Sequence, residues 1–173
     1  MMRVAILTIS DSVAAGRMND SSGPALRCEC EARGWLIAFA EVVPDDATNI
    51  TSRIISICDA EGADVIFTIG GTGLGPRDVT PEATLSIAQR VVPGLGELMR
   101  AEGYRKNPRA VLSRGIVAQR GQSLIINLPG SPAGAVESFR IAAELLPHAL
   151  EVMRGARHEA VALSGDRSAR REK

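Results

Sequence analysis

The sequence predicts an α/β domain with a largely parallel sheet and helices on both faces. Three observations carry that expectation. Val4 to Ile9, Val65 to Ile69 and Leu124 to Leu128 are short apolar runs rich in β-branched residues, the pattern of strands buried on both faces. Each run gives way at once to polar or glycine-rich residues. Helical patterns lie between the runs. Alternating strands and helices need crossover connections, and those give parallel pairing.

The elements follow in chain order. Val4 to Ile9 ends at Ser10-Asp11 with no small-residue cleavage site, so it reads as a first strand and not a signal peptide. A helix is expected from Gly23 to Arg33, with Ser22 as its cap, Pro24 in its first turn and Gly34 at its stop. Leu36 to Val43 is a fourth strand candidate. Ala47 to Glu61 carries Ile50, Ile54, Ile57 and Cys58 at helical spacing and stops at Gly62. After Val65 to Ile69, Thr80-Pro81-Glu82 reads as a helix start: a cap, a proline at the first position, then an acid. Helices around Pro93 to Tyr104 could carry contacts between subunits. Gly115 to Gln119 is a fifth strand candidate, pairing with Leu124 to Leu128 across Arg120-Gly121-Gln122. Ser131-Pro132 starts a helix running toward Leu146, where Pro147 kinks or restarts it, and a last turn ends near Arg154-Gly155. There is no internal repeat and no linker. Residues 1–155 are therefore expected as one domain, and 156–173 as a partly disordered extension without apolar periodicity.

Composition excludes several functions. The chain has 173 residues, and its 20 Lys plus Arg balance 20 Asp plus Glu. A general nucleic-acid binder would show a basic excess. The aromatics are Trp35, Phe39, Phe67, Tyr104 and Phe139, too sparse for a base-stacking platform. No stretch approaches a membrane span. Cys28, Cys30 and Cys58 form no disulfide framework and read as packing residues in a reducing compartment, so a cytoplasmic location is expected. Lysine occurs only at Lys106 and Lys173, outside every motif described below.

The chemistry concentrates between Thr68 and Thr84. Gly70-Gly71-Thr72-Gly73-Leu74-Gly75 places four glycines in six residues at the end of a buried strand. Ligands of open α/β sheets bind at such carboxyl ends. Glycines let backbone N–H groups approach an anion without Cβ interference. The loop lacks the Gly-Lys-Ser/Thr ending of a Walker motif, and Pro76 stands where the third glycine of a dinucleotide fingerprint is due. The loop therefore reads as phosphate-binding but belongs to neither common class.

This stretch resembles the signature of the molybdenum cofactor biosynthesis family, which includes bacterial molybdopterin adenylyltransferases and a related domain of gephyrin. Four further segments are similar in order: Ser10-Asp11 with Gly16 and Asp20 to Pro24; Val43-Pro44-Asp45-Asp46; Ser113-Arg114-Gly115; and Leu128-Pro129-Gly130-Ser131-Pro132. The resemblance spans Arg3 to Gly155. It implies a three-layer sandwich, the molybdopterin-binding fold, in a homotrimer. It also implies that the terminal phosphate of molybdopterin attacks the α-phosphorus of ATP, releasing pyrophosphate, with Mg2+ required.

On that resemblance, Asp45 and Asp78 are the catalytic and metal-binding carboxylates. Their bland readings stay open: Asp45 as a cap ahead of Ala47, with Asp46 competing for either role, and Asp78 as an ion-pair partner of Arg77 or a turn acid. Gly70, Gly71, Thr72 and Gly73 would cradle a phosphate. Ser113 matches a position near the pterin, and Arg114 is a candidate anion contact. Pro129, Gly130 and Ser131 would offer a helix N-terminus to an anion. Asp11 and Asp20 are weaker substrate-site candidates, each equally readable as a turn residue. Ile69 stands where many relatives carry Thr, so the loss of one ligand-facing hydroxyl is expected there. A catalytically silent molybdopterin- or nucleotide-binding paralogue is the alternative, as is an assembly module contacting other molybdenum cofactor biosynthesis proteins.

Overall fold

A computed structural model of the chain describes residues 1–155. The extension expected over 156–173 lies outside the described residues. One six-stranded sheet runs through the molecule. Its strands are β1 (Arg3–Ile9), β2 (Leu36–Val43), β3 (Val65–Ile69), β4 (Arg90–Val91), β5 (Val117–Arg120) and β6 (Ser123–Leu128). Their order in space is β2-β1-β3-β6-β5-β4. The first four strands in that order pair in parallel; β5 runs antiparallel to both β6 and β4.

Seven helices cover the sheet among the described residues: α1 (Asp11–Ala14), α2 (Ser22–Ala32), α3 (Ala47–Ser56), α4 (Thr80–Ile87), α5 (Pro93–Lys106), α6 (Pro132–Ala143) and α7 (Leu146–Met153). The strand pleat explains the layers. Val4, Ile6, Val65, Phe67, Ile69, Leu124, Ile126 and Leu128 point to one face and pack with α2, α5, α6 and α7. Ala5, Leu7, Ile9, Ile66 and Ile125 point to the other and pack with α3 and α4. Continuous apolar strands are thus buried on both sides, as a three-layer sandwich requires.

The strand expectations hold closely. The hairpin turn is tighter than the sequence suggested, because Arg120 pairs with Ser123 and leaves only Gly121-Gln122 between strands. Strand β4 was missed; two residues carry no alternation to detect.

Several helix ends differ from expectation. Ser22 does not cap α2. Asp20 accepts the backbone N–H groups of Ser22 and Gly23, at 3.0 Å each, and also the Thr8 hydroxyl at 2.7 Å. Thr80 does not cap α4 either. It is already the first helical residue, and its neighbour Val79 takes the flanking position. The expected Ala47 to Glu61 helix is α to Ser56 and widens into a π turn over Ile57–Glu61. Gly62, at φ 71°, closes that turn by donating to Ile57 O at 2.9 Å.

Candidate functional site

The carboxyl ends of β1, β3 and β6 lie side by side, with the chain leaving β1 and β3 toward opposite neighbours. This is the switch point where an open α/β sheet forms a crevice. At the end of β3 the chain turns sharply. Gly70 has φ 106° and Gly71 φ 62°, a backbone that side chains resist. A Cβ on Gly70 would stand 2.5 Å from Ile9 O, and one on Gly71 2.2 Å from Thr80 Oγ1. The glycines are therefore needed for close approach.

The loop's N–H groups divide into two sets. Gly70 N–H donates to Leu128 O at 3.1 Å. It ties β3 to β6 and is no phosphate donor, which corrects the expected role of Gly70. Gly71, Thr72 and Gly73 follow, and none of their N–H groups meets an acceptor among the described residues. Backbone donors rarely stay unmet away from solvent. Three in succession form a concavity for an anion.

All three line a cavity of about 510 Å3 together with Asp78. Its other walls come from the start of α6, with Pro129, Gly130 and Ser131, and from a 3₁₀ turn at Pro108–Leu112 that leads to Ser113. Such a volume suits a small-molecule ligand. Ser131 Oγ accepts from Gly134 N at 3.3 Å, so it caps α6 at the cavity edge. Ser113 Oγ accepts from Gly115 N at 3.3 Å and faces the same space.

The acids take distinct positions. Asp46, not Asp45, caps α3, with Asp46 Oδ1 accepting from Asn49 N at 2.9 Å. Asp45 is thereby free of that duty. It exchanges hydrogen bonds with Asp11: Asp11 N donates to Asp45 Oδ2 at 2.8 Å, and Asp45 N donates to Asp11 Oδ1 at 3.0 Å. The other Asp45 oxygen lies 3.3 Å from where a Cβ on Gly71 would sit. Asp78 is not paired with Arg77. Its Oδ2 accepts from Gly75 N at 2.7 Å, as the turn-acid reading expects, and lies beside Gly73. Asp45 and Asp78 thus stand at the two ends of the Gly71 to Gly73 donor run, although Asp45 is outside the cavity wall itself.

Arg77 instead reaches Asp11, with Nη2 to Oδ2 at 2.8 Å. Hydrogen bonds from Arg77 hold the Asp11 carboxyl below the usual carboxylate range, with the Asp45 N–H adding to the effect. Asp11 therefore locks two loops together and does not line the cavity. Arg114 also departs from expectation. Its Nε donates to Gly73 O and its Nη2 to Asp78 O, both at 2.6 Å, while Nη1 pairs with Glu82. Arg114 N–H holds Thr72 O at 2.9 Å. With its guanidinium committed behind the loop, Arg114 braces the carbonyl side and leaves the N–H side facing the cavity.

Ile69 likewise proves to be a core residue, 1% exposed among Phe67 and Leu128. Its side chain points away from the crevice, so no ligand-facing hydroxyl is lost there. Thr80 is the buried oddity. Its Oγ1, against Gly71, has no hydrogen-bond partner among the described residues.

Two features escaped sequence reasoning. Asn127 is buried in β6 and donates to Thr68 Oγ1 and Thr84 Oγ1, at 2.9 Å each, while its Oδ1 accepts from Ile116 N at 3.2 Å. A polar residue inside an otherwise apolar strand was the available signal. Arg109 on the cavity wall had none, because only the fold brings its turn opposite the glycine loop.

The donor set can be tested against Mg2+. Asp45 and Asp78 offer hard oxygens beside an anion cradle, and Mg2+ commonly takes one or two carboxylates with the remainder from phosphate and water. No group of three His, Cys, Asp or Glu among the described residues could hold an ion without such help. The residues therefore fit a metal that arrives with a phosphorylated ligand, and not a resident cage.

Comparison with known proteins agrees with this geometry. Residues 5–148 match the family described as "Probable molybdopterin binding domain". A molybdopterin adenylyltransferase of Helicobacter pylori is 35% identical over 156 residues, covering 89% of each chain. The Escherichia coli K12 protein of the same name is 35% identical over 146 residues, covering 80% of this chain and 72% of its own. The crystal structure of the molybdopterin biosynthesis enzyme MoaB from Thermus thermophilus superposes with a TM-score of 0.85 at 48% identity, over 90% of this chain and 98% of that one. A glycine-rich turn between two carboxylates, in this topology and with these relatives, makes the chain a member of the molybdopterin-binding domain family of molybdenum cofactor biosynthesis.

Proposed function

We propose that the chain is a molybdopterin adenylyltransferase. The terminal phosphate oxygen of molybdopterin attacks the α-phosphorus of ATP. A new P–O bond forms, the α–β anhydride bond breaks, and pyrophosphate leaves. The observation that carries this reading is the run of three uncommitted N–H groups, Gly71 to Gly73, which lies between two carboxylates and lines a cavity.

The chain's own residues supply binding and orientation. The three N–H groups receive phosphate oxygens where charge develops, and their directions are set in advance by Arg114 behind the loop. The Asp11–Asp45 exchange fixes the neighbouring loop in the same way. Ser131 and the α6 terminus add donors on the opposite wall. Asp45 and Asp78 would hold Mg2+, which when bound neutralises charge on the leaving pyrophosphate. Ser113 would lie on the pterin side. The names of the relatives support the choice of substrates. Free cysteines support a reducing, cytoplasmic setting, and no helix among the described residues is long and apolar enough to cross a membrane.

The test is direct. Purified protein with molybdopterin, ATP and Mg2+ is expected to form the adenylate and release pyrophosphate. Nucleotide binding without metal dependence and without turnover would instead identify a silent binding module. Asp78→Asn is expected to lower turnover at least about 100-fold while leaving pterin affinity within about threefold. Unchanged turnover would remove Asp78 from the chemistry. Light scattering is expected to give a trimer, the assembly in which contacts with other cofactor-assembly proteins would be made.

A further inference from the structure

The cavity holds a cation that none of the motifs marks. Arg109 is the only basic residue on its wall among the described residues. The other arginines near the site are committed: Arg77 to Asp11, Arg114 to Gly73, Asp78 and Glu82, and Arg100 to Gly115 O at 2.8 Å. Glu137, also on the wall, is offset by Lys106 at 3.3 Å. The Arg109 guanidinium meets no acceptor and no acid among the described residues. An arginine on a cavity wall and left without an internal partner is available to receive an anion.

Its backbone is fixed even though its side chain is exposed. Asn107 Oδ1 accepts from Arg109 N at 3.1 Å, and Ala110 N donates to Asn107 O at 2.9 Å. Gly103 of α5 lets this turn pack close, since a Cβ there would stand 3.0 Å from the Ala110 Cβ. The turn continues through Ser113 to Arg114, which is stitched to the glycine loop. The cavity wall therefore carries two features that can receive an anion. One is the Gly71 to Gly73 run with its flanking carboxylates. The other is Arg109, on the Ser113 segment.

We propose that Arg109 grips the phosphomonoester of the pterin substrate and so selects the phosphorylated pterin over its dephosphorylated form. This inference rests on the adenylyltransferase reading. A metal-bound triphosphate fits the carboxylate-flanked glycine run, whose acids would repel a bare dianion. A dianion without metal, meeting the triphosphate where the two react, fits the unpaired planar fork of Arg109.

Binding distinguishes the outcomes. The probes are molybdopterin, its dephosphorylated form, and ATP with Mg2+, measured with the full chain under anaerobic conditions. Arg109→Ala is expected to weaken molybdopterin binding about 10- to 100-fold. Affinity for the dephosphorylated pterin and for Mg-ATP is expected to stay within about twofold. Arg109→Lys is expected to recover part of the loss, since it keeps the charge but not the fork. Unchanged molybdopterin affinity in Arg109→Ala overturns the inference, and so does a loss confined to ATP. If the unmodified chain binds no molybdopterin, the reading beneath the inference fails with it. If the unmodified chain binds and turns over while Arg109→Ala binds equally well, only the role of Arg109 falls.

Discussion

Asp45 and Asp46 are adjacent, and the sequence assigns the site role to Asp45 with Asp46 competing for it. The structure separates them by hydrogen bonding: Asp46 caps α3, and Asp45 faces Asp11 and Gly71. Gly71 shows how little space surrounds that carboxylate. Its φ of 62° and the Thr80 hydroxyl leave no room for a methyl group. Gly71→Ala is expected to destabilise the fold by about 1–3 kcal/mol, read by urea denaturation, and to abolish adenylate formation. Full activity in that variant would show that the loop does not need its left-handed turn. Cys30 is a second single-residue case. Burial pushes its thiol up to about 12, whereas Cys28 is exposed. Alkylation of native protein near pH 8 is expected to mark Cys28 and to spare Cys30 until unfolding, as peptide mass mapping can show.

At the level of elements, the loops around the crevice are held from behind. Asn127 connects β6 with β3 and α4 through one amide. Asn127→Ala is expected to cost about 2–4 kcal/mol, because it strands the Thr68 and Thr84 hydroxyls and the Ile116 N–H in the interior; thermal denaturation measures it. The Arg77–Asp11 pair joins the glycine loop to the start of α1. Since Arg77 depresses the Asp11 pKa in the folded chain, its contribution is present above the unfolded carboxylate value and disappears as pH falls through the folded one. Arg77→Ala is therefore expected to raise the Asp11 pKa toward its ordinary value in an NMR titration. Its small stability deficit at pH 7 should vanish in acid, below the folded Asp11 pKa. Strands and helix bodies were legible because their periodicities are local. Helix starts were less so. Asp20 caps α2 from outside the expected cap position, and Thr80 begins a helix without capping it, because the fold positions those side chains. Ser131-Pro132 was legible since its cap is satisfied within its own turn.

For the molecule as a whole, the sheet separates two cores of unequal character. Phe139 of α6 lies edge-on to both Phe67 and Trp35, with centroids 5.2 and 5.5 Å apart. Phe139→Ala is expected to destabilise by about 3–5 kcal/mol, read by denaturant midpoint. The matching Ile54→Val on the opposite face should cost only about 0.5–1.5 kcal/mol. A loss below about 1 kcal/mol for Phe139→Ala would contradict this account of the packing.

Zero net charge has a physical consequence at this scale. Arg77 and Arg114 are paired with acids, and the Arg100 guanidinium donates to a backbone carbonyl. Around the cavity, the positive groups left uncommitted among the described residues are the Gly71 to Gly73 N–H groups and Arg109. The sequence by itself determined the strand alternation, the glycine run, the carboxylates and the family, since each is written in neighbouring residues. Only the tertiary structure decided which N–H groups and which arginine stay uncommitted. Gly70 is tied to Leu128 on another strand, and Arg114 to Gly73, 41 positions back. Whether a donor is spent or free depends on the partner that folding brings to it, and that partner is not local.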